Sequence, residues 1–372
     1  MKSAAKISIL MPVRNDATML RNCLADIENQ SMTDYELVVV DDGSTDETPD
    51  LLIKASQRDS RIRMICTEPH GIVSALNTGL TECKGQYIAR MDVDDRMHKT
   101  RLEKQLEFIK NNPELELIGC RIEGFTDKGP LPDSGVQYQS WSNALISHEQ
   151  IECDLFAESP IVHPTFFATR ELLNKIGGYS ENPWAEDYDA IMRAYGRGAK
   201  LGKHPEKLVL KYHAQGRLSR IEAMYKRPAM FDAKVHYLLE FGLLKKRKGV
   251  LIVGSGPTGR QSAQSFADRK VQLLGFVDNR PGPPGRLVKG WPAWGFPDLP
   301  PPEFLNNFQD ALIIMAIGDS TGQRVFRELL LKEGFVENYD FVRVIYNWPP
   351  VDNCIERKSC IPDCEATGFD VL

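Results

Sequence analysis

Much is missing from this chain, and each absence removes a class of function. It has no long apolar run: stretches such as Leu312–Ile317 fall far short of the roughly 20 residues that cross a bilayer. It has no basic excess. Lys+Arg 46 against Asp+Glu 51 leaves a net charge of −5, a poor balance for a dedicated nucleic-acid binder. Cysteine is sparse, 8 in 372 residues, which fits reduced thiols rather than a disulfide framework. The stretch Ile7–Val13 is too short for a signal core, is cut by Pro12 and is not followed by a small-residue cleavage site, so a cytoplasmic location is expected. There is no Gly-x-x-x-x-Gly-Lys-Ser/Thr loop, no His-Glu-x-x-His and no Gly-x-Ser-x-Gly elbow, which disfavours P-loop phosphoryl transfer, zinc proteolysis and the serine-hydrolase mechanism.

What remains is an ordinary globular composition, 42% hydrophobic and 26% charged, arranged as two alternations of strand and helix. In the first, Ile7–Val13, Glu36–Val40, Arg61–Cys66 and Gln86–Met91 read as buried strands. Asp16–Gln30, Thr48–Gln57, Gly71–Cys83 and Lys99–Asn111 read as helices, the second capped by Thr45 or Asp46. Such alternation predicts an α/β fold with a mainly parallel sheet. From Leu131 to Ile161 periodicity fades. Arg170–Ile176, Tyr188–Tyr195 and Ser219–Phe241 look helical, and Lys211–Lys248 carries ten Lys/Arg against three acids. The expected organisation is a first domain over 1–220, a basic helical connector over 221–248, a smaller Rossmann-like domain over 249–348 and a tail over 349–372. The connector reads mainly as a solvated helix face, with peripheral contact to an anionic membrane as the alternative.

Two strands of the first domain end in acids: Asp41-Asp42, and Asp92, Asp94 and Asp95 in Met91-Asp92-Val93-Asp94-Asp95. Ligands of open parallel sheets bind at the carboxyl ends of the strands. Carboxylates crowded there repel one another unless a cation or donors compensate. Oxygen ligands at that density suit Mg²⁺ or Mn²⁺, cations that keep waters and bridge phosphate oxygens, which points to a nucleoside diphosphate.

These residues, with Ser8–Asn15 (SILMPVRN), Val38–Asp46 (VVVDDGSTD), Gly85–Asp95, His163-Pro164-Thr165, Gly177-Gly178-Tyr179, Ala185–Asp189 (AEDYD) and Lys211-Tyr212-His213, resemble the family 2 glycosyltransferases of the GT-A fold over roughly residues 5–220. The resemblance implies inverting transfer of a sugar from a nucleotide sugar, a UDP-sugar first, to a saccharide or lipid-linked acceptor in cell-surface polysaccharide or lipopolysaccharide assembly. It implies that Pro12, Val13 and Asn15 line the base with Asp41 and Asp42. Arg90 and Asp92 would serve the nucleoside, Asp94 the metal, and Lys211 the diphosphate, where many relatives have Arg. His213 would be a further metal ligand. Asp187 would be the general base, with Glu186 beside it. His163 reads equally as functional or structural, and Trp184 as an acceptor platform or a core aromatic.

In the second domain Gly254, Gly256 and Gly259 follow the strand Val250–Val253, and Asp278 ends the next strand. This spacing suits a pyrophosphate at a helix N-terminus, with the acid on a ribose. The expected ligand is a nucleotide, a nucleotide sugar or NAD. Gly275–Asn279 (GFVDN), Lys289-Gly290-Trp291-Pro292 and Ile317-Gly318-Asp319 with Arg324 resemble the nucleotide-sugar-binding domain of bacterial sugar acyltransferases. The hexapeptide β-helix of those enzymes is absent, so acyl transfer is not implied. Cys354, Cys360 and Cys364 lack the paired spacing of a zinc site. Two competing readings are a non-catalytic nucleotide-sugar sensor or scaffold, and NAD-dependent redox chemistry in the second domain.

Overall fold

A computed structural model of the protein describes residues 6–127, 129–213 and 223–346. The expected tail and its three cysteines lie outside the described residues. Two compact units are resolved, one within Met1–Leu155 and Ser159–Ala229, the other within Phe156–Glu158 and Met230–Leu372.

The first unit is built on β1 (Ile7–Val13), β2 (Tyr35–Asp42), β3 (Ile62–Thr67), β4 (Tyr87–Arg90), β5 (Arg96–Met97), β6 (Leu115–Phe125), β7 (Phe167–Thr169) and β8 (Lys200–Tyr212), in the spatial order β3-β2-β1-β4-β7-β6-β8-β5. The β3-β2-β1-β4 half is parallel, as expected. Strands β1 and β2 are almost wholly buried, because helices cover both faces of a parallel sheet. Helices α1 (Ala17–Glu28), α2 (Thr48–Arg58), α3 (Ile72–Glu82) and α4 (Arg101–Asn111) fall where the 3.6-residue spacing put them. The N-cap of α2 is Glu47 rather than Thr45 or Asp46. Asp46 instead accepts from the Thr48 and Ala17 amides. Ile7, Ile9, Leu37 and Val39 pack with Leu20, Ile27 and Leu52 in one core cluster, each contributing about 1.5–3 kcal/mol by leaving water.

The other half was not anticipated. Strand β7 runs antiparallel to β4 and β6, while β8 is parallel to β6. Strand β8 carries Lys200, Lys203, Lys207 and Lys211, a pattern that hides a central strand. Lys203 is nevertheless 1% exposed, its ammonium donating to the Ser142 carbonyl and hydroxyl. The weakly periodic stretch holds α5 (Asp133–Ala144) and α6 (His148–Asp154), the latter begun by a Ser147/Gln150 capping box. Helices α7 (Arg170–Lys175) and α8 (Glu186–Gly196) follow. The helix α9 (Arg227–Glu240) lies mostly in the second unit, where Lys234 is buried against the Ala157 and Val344 carbonyls rather than solvated.

The second unit is an α/β layer on β9 (Gly249–Val253), β10 (Leu273–Asp278), β11 (Leu287–Val288), β12 (Trp291–Gly295), β13 (Ala311–Met315) and β14 (Phe341–Arg343), ordered β11-β12-β10-β9-β13-β14. The region 280–302, expected to be loop, contains the β11–β12 hairpin. Lys289 and Gly290, both at positive φ, turn it, and β12 extends the parallel sheet beside β10. No helix among the described residues is long and apolar enough to cross a membrane.

Candidate active site

The sheet order places β1 between β2 and β4, so both acid-bearing strand ends fall on one edge. Val13 pairs with Asp41, and Leu10 with Arg90. The turns after β1 and β2 brace each other. Asn15, at φ 52, donates its amide to Ser44 Oγ at 2.9 Å, and its side-chain oxygen accepts the Thr45 amide at 2.7 Å. Asn tolerates this left-handed backbone better than most residues. Asp41 accepts the Ser44 amide at 3.0 Å. Asp42, 5% exposed, accepts the His70 and Gly71 amides at 2.8 and 2.9 Å, and Arg14 lies 3.9 Å from it. The second acid thus holds the loop entering α3, while Pro12 is half-buried at the strand end.

After β4, the carboxylates of Asp92, Asp94 and Asp95 bring their oxygens within 4.8 Å of one another. Asp95 is fully buried; it accepts the Tyr212 amide at 2.7 Å and faces Lys211 Nζ at 3.6 Å. Asp92 pairs with Arg90 at 2.5 Å. Arg90 is buried; desolvation works against its charge, but Asp92 and other nearby acids hold its pKa above the ordinary value. Its Nε and Nη2 have no partner among the described residues. Three hard oxygen donors so close, with Arg90 beside Asp92 and Lys211 beside Asp95, fit a divalent cation. His213 is not gathered into this group. Its ring lies against Gly124 and Gly135, and its amide bonds to Phe125.

The Glu186-Asp187 pair opens α8, where the exposed amides and dipole of a helix N-terminus favour carboxylates. Asp187 is half-buried and accepts the Tyr188 amide at 2.7 Å. Glu186 is 2% exposed. Burial pushes its carboxyl up, but His163 and the Tyr225 hydroxyl outweigh that and hold it below the usual range. Burial and Arg90 push the His163 ring down despite Glu186. His163 therefore belongs to the site's buried framework. So does Trp184, 5% exposed, whose indole donates to Asp189 at 2.8 Å. It is the core aromatic, not a platform.

Sequence reasoning missed several supports. Arg101, fully buried, donates to the Arg90 carbonyl at 2.9 Å and to Gln105, and Gln105 reaches the Thr165 carbonyl. Asn77 exchanges two bonds with the Tyr179 backbone. A Cβ on Gly178, at φ +70, would meet Asn77 Oδ1 at 2.6 Å, so this glycine is required. Tyr225 carried no local signal; only tertiary contact brings it to Glu186.

In the second unit Gly254 turns at φ +104, and a Cβ on Gly259 would lie 1.8 Å from the Gly254 carbonyl. Gly256 caps α10 (Pro257–Asp268). Asp278 takes the Ser255 hydroxyl, the Arg280 amide at 2.8 Å and Arg286 at 3.3 Å. Its pKa is low: desolvation opposes the charge, but these donors outweigh it. Its carboxylate is thus engaged inside the unit.

The profile of glycosyl transferase family 2 matches residues 8–177. An uncharacterized glycosyltransferase of Haemophilus influenzae is 30% identical over 222 residues, 58% of this chain and 68% of that protein. The O-antigen biosynthesis glycosyltransferase WbnJ of Escherichia coli is 27% identical, with 65% of this chain covering 90% of it. Among solved structures, S. aureus TarS 1–349 in complex with UDP-GlcNAc superposes with TM-score 0.50 at 19% identity, covering 63% of this chain and 66% of that one. This likeness supports the GT-A-like fold.

Proposed function

The chain belongs to glycosyl transferase family 2, and from that premise we propose that it is an inverting, metal-dependent transferase. It moves a sugar from a nucleotide sugar, a UDP-sugar first, to a saccharide or lipid-linked acceptor in cell-surface polysaccharide or lipopolysaccharide assembly. The observation that carries this is the meeting of the Asp92–Asp95 carboxylates with the β1 and β2 turns on one sheet edge.

In this reading Pro12, Val13 and the braced Asn15 turn form the base-binding wall, and Asp41 and Asp42 hold its shape. Arg90 fixes Asp92 for the ribose. Asp94 would hold Mn²⁺ or Mg²⁺ with its neighbours, and Lys211, near the end of β8, would serve the diphosphate. A bound divalent cation supplies Lewis-acid stabilisation of the departing diphosphate. Asp187 accepts the acceptor's proton as that oxygen bonds to the anomeric carbon and the bond to the diphosphate breaks. Glu186 supports it. The WbnJ likeness supports the polysaccharide setting, and TarS with UDP-GlcNAc makes UDP-sugars the first donors to test. The Gly254–Gly259 turn with α10 supports a nucleotide, nucleotide sugar or NAD in the second unit, which calorimetric titration with UDP, UDP-GlcNAc and NAD would check.

The test is nucleoside-diphosphate release from UDP-sugars with Mn²⁺ or Mg²⁺. Asp94→Ala should lose metal-dependent turnover and the thermal shift that Mn²⁺ with UDP gives the wild type. Asp187→Asn should lose turnover while keeping that shift. Wild-type rates in both variants would refute the roles.

A further inference from the structure

Glu186 and its neighbours form a chain of hydrogen bonds that the assigned roles leave unexplained. The Tyr225 hydroxyl donates to Glu186 Oε2 at 2.6 Å. His163 Nδ1 faces Glu186 Oε1 at 3.4 Å, and His163 Nε2 meets the Tyr179 hydroxyl at 3.0 Å. A carboxylate can only accept, so a neutral His163 carries its proton on Nδ1 and accepts from Tyr179 at Nε2. His163 and Glu186 are 6% and 2% exposed. Asn77 pins the Tyr179 backbone. Among the described residues, the charged groups acting on the chain are Arg90 and Asp92 from β4 and its loop, and Asp187 and Arg193 from α8.

Resting on the transferase reading above, we infer that Tyr225 and His163 are positioning residues, which saturate Glu186 and fix the first turn of α8 so that Asp187 alone presents a carboxylate to the acceptor hydroxyl. Both Glu186 oxygens are occupied, one by each donor. Glu186 is therefore an anchor rather than the base. Its negative charge acts on Arg90, whose Nη1 donates to Asp92 at 2.5 Å. The chain thus ties the turn that carries the proton acceptor to the loop that carries the metal-binding acids. Misplacing a reacting group by about 1 Å costs up to about 100-fold, which gives three conserving hydrogen bonds a kinetic consequence.

The test uses the full chain and Tyr225→Phe, which keeps the ring and removes one donor. The first readout is NMR of the ¹⁵N-histidine-labelled protein, with His163 identified by its absence in His163→Gln. In the wild type the ring should stay neutral, protonated on Nδ1, near pH 7. Without the Tyr225 hydroxyl, Glu186 draws harder on that proton, and His163 should titrate up to about one pH unit higher. An unchanged His163 signal would overturn the inference. The second readout is UDP release from UDP-GlcNAc and UDP-glucose with Mn²⁺. Tyr225→Phe should lower kcat by about 10-fold with the donor KM unchanged. Glu186→Gln should lose a similar amount. An unaltered kcat, a change confined to KM, or a Glu186→Gln loss as deep as that of Asp187→Asn would overturn it. A wild type inert to both sugars would sink the donor assignment, and the histidine signal alone would then decide the positioning role.

Discussion

Lys203→Met should change how the stability of the first unit depends on pH. Lys203 is 1% exposed, and burial pushes its pKa down to about 7, against about 10.4 in an unfolded chain. Between those values the unfolded state binds more protons, so stability rises with pH through this window and levels off below it. One pKa unit is worth about 1.4 kcal/mol, so the full effect is about 4–5 kcal/mol, of which about 2 kcal/mol falls between roughly pH 7 and 9. Buried thiols act in the opposite sense. Burial pushes Cys83 up to about 12 and Cys120 up to about 11, so their contribution is lost as pH rises past the ordinary thiol range. The wild-type-minus-variant difference cancels the Cys83 contribution and, below the ordinary thiol range, reports chiefly the lysine, since Cys120 is the thiol that Lys203 acts on. Urea denaturation of both proteins at several pH values should show that difference growing by about 2 kcal/mol from roughly pH 7 to 9. Parallel profiles would mean that the ammonium is not held in a desolvated site.

Asp42→Asn should cost about 1.5–3 kcal/mol, because one of two backbone donors, His70 or Gly71, then faces an NH₂ group; an unchanged denaturation midpoint would refute the anchoring. Gly259→Ala should destabilise the second unit by about 1–3 kcal/mol, since its methyl would collide with the Gly254 carbonyl. Hydrogen exchange in Val250–Val253 should accelerate, and unchanged protection would refute the tight turn.

The parallel half of the first sheet and its acids were legible because β1, β2 and their helices follow single periodicities, and because turn chemistry marks the strand ends. Strand β8 was hidden by its lysines, one of which is buried through bonds to Ser142 that no local pattern reveals. Helix α6 had a signal, Ser147 three residues before Gln150, that the surrounding Pro- and Ser-rich stretch obscured. The β11–β12 hairpin hid behind Pro292 and Gly290. Most candidate residues were readable at strand ends, whereas their supports were not. Arg101 serves the Arg90 carbonyl, and Tyr225 serves Glu186, across the tertiary fold.

The mutual latch between Asn15 and the Ser44-Thr45 turn bears on how this enzyme can be re-engineered. Each loop lends the other hydrogen-bonding atoms: Ser44 accepts from the Asn15 amide, and Asn15 accepts from the Thr45 amide. Turns grafted from a relative would have to travel as a two-loop cassette, and chimeras that swap a single loop should fold around a gap where the partner's hydroxyl or amide belongs.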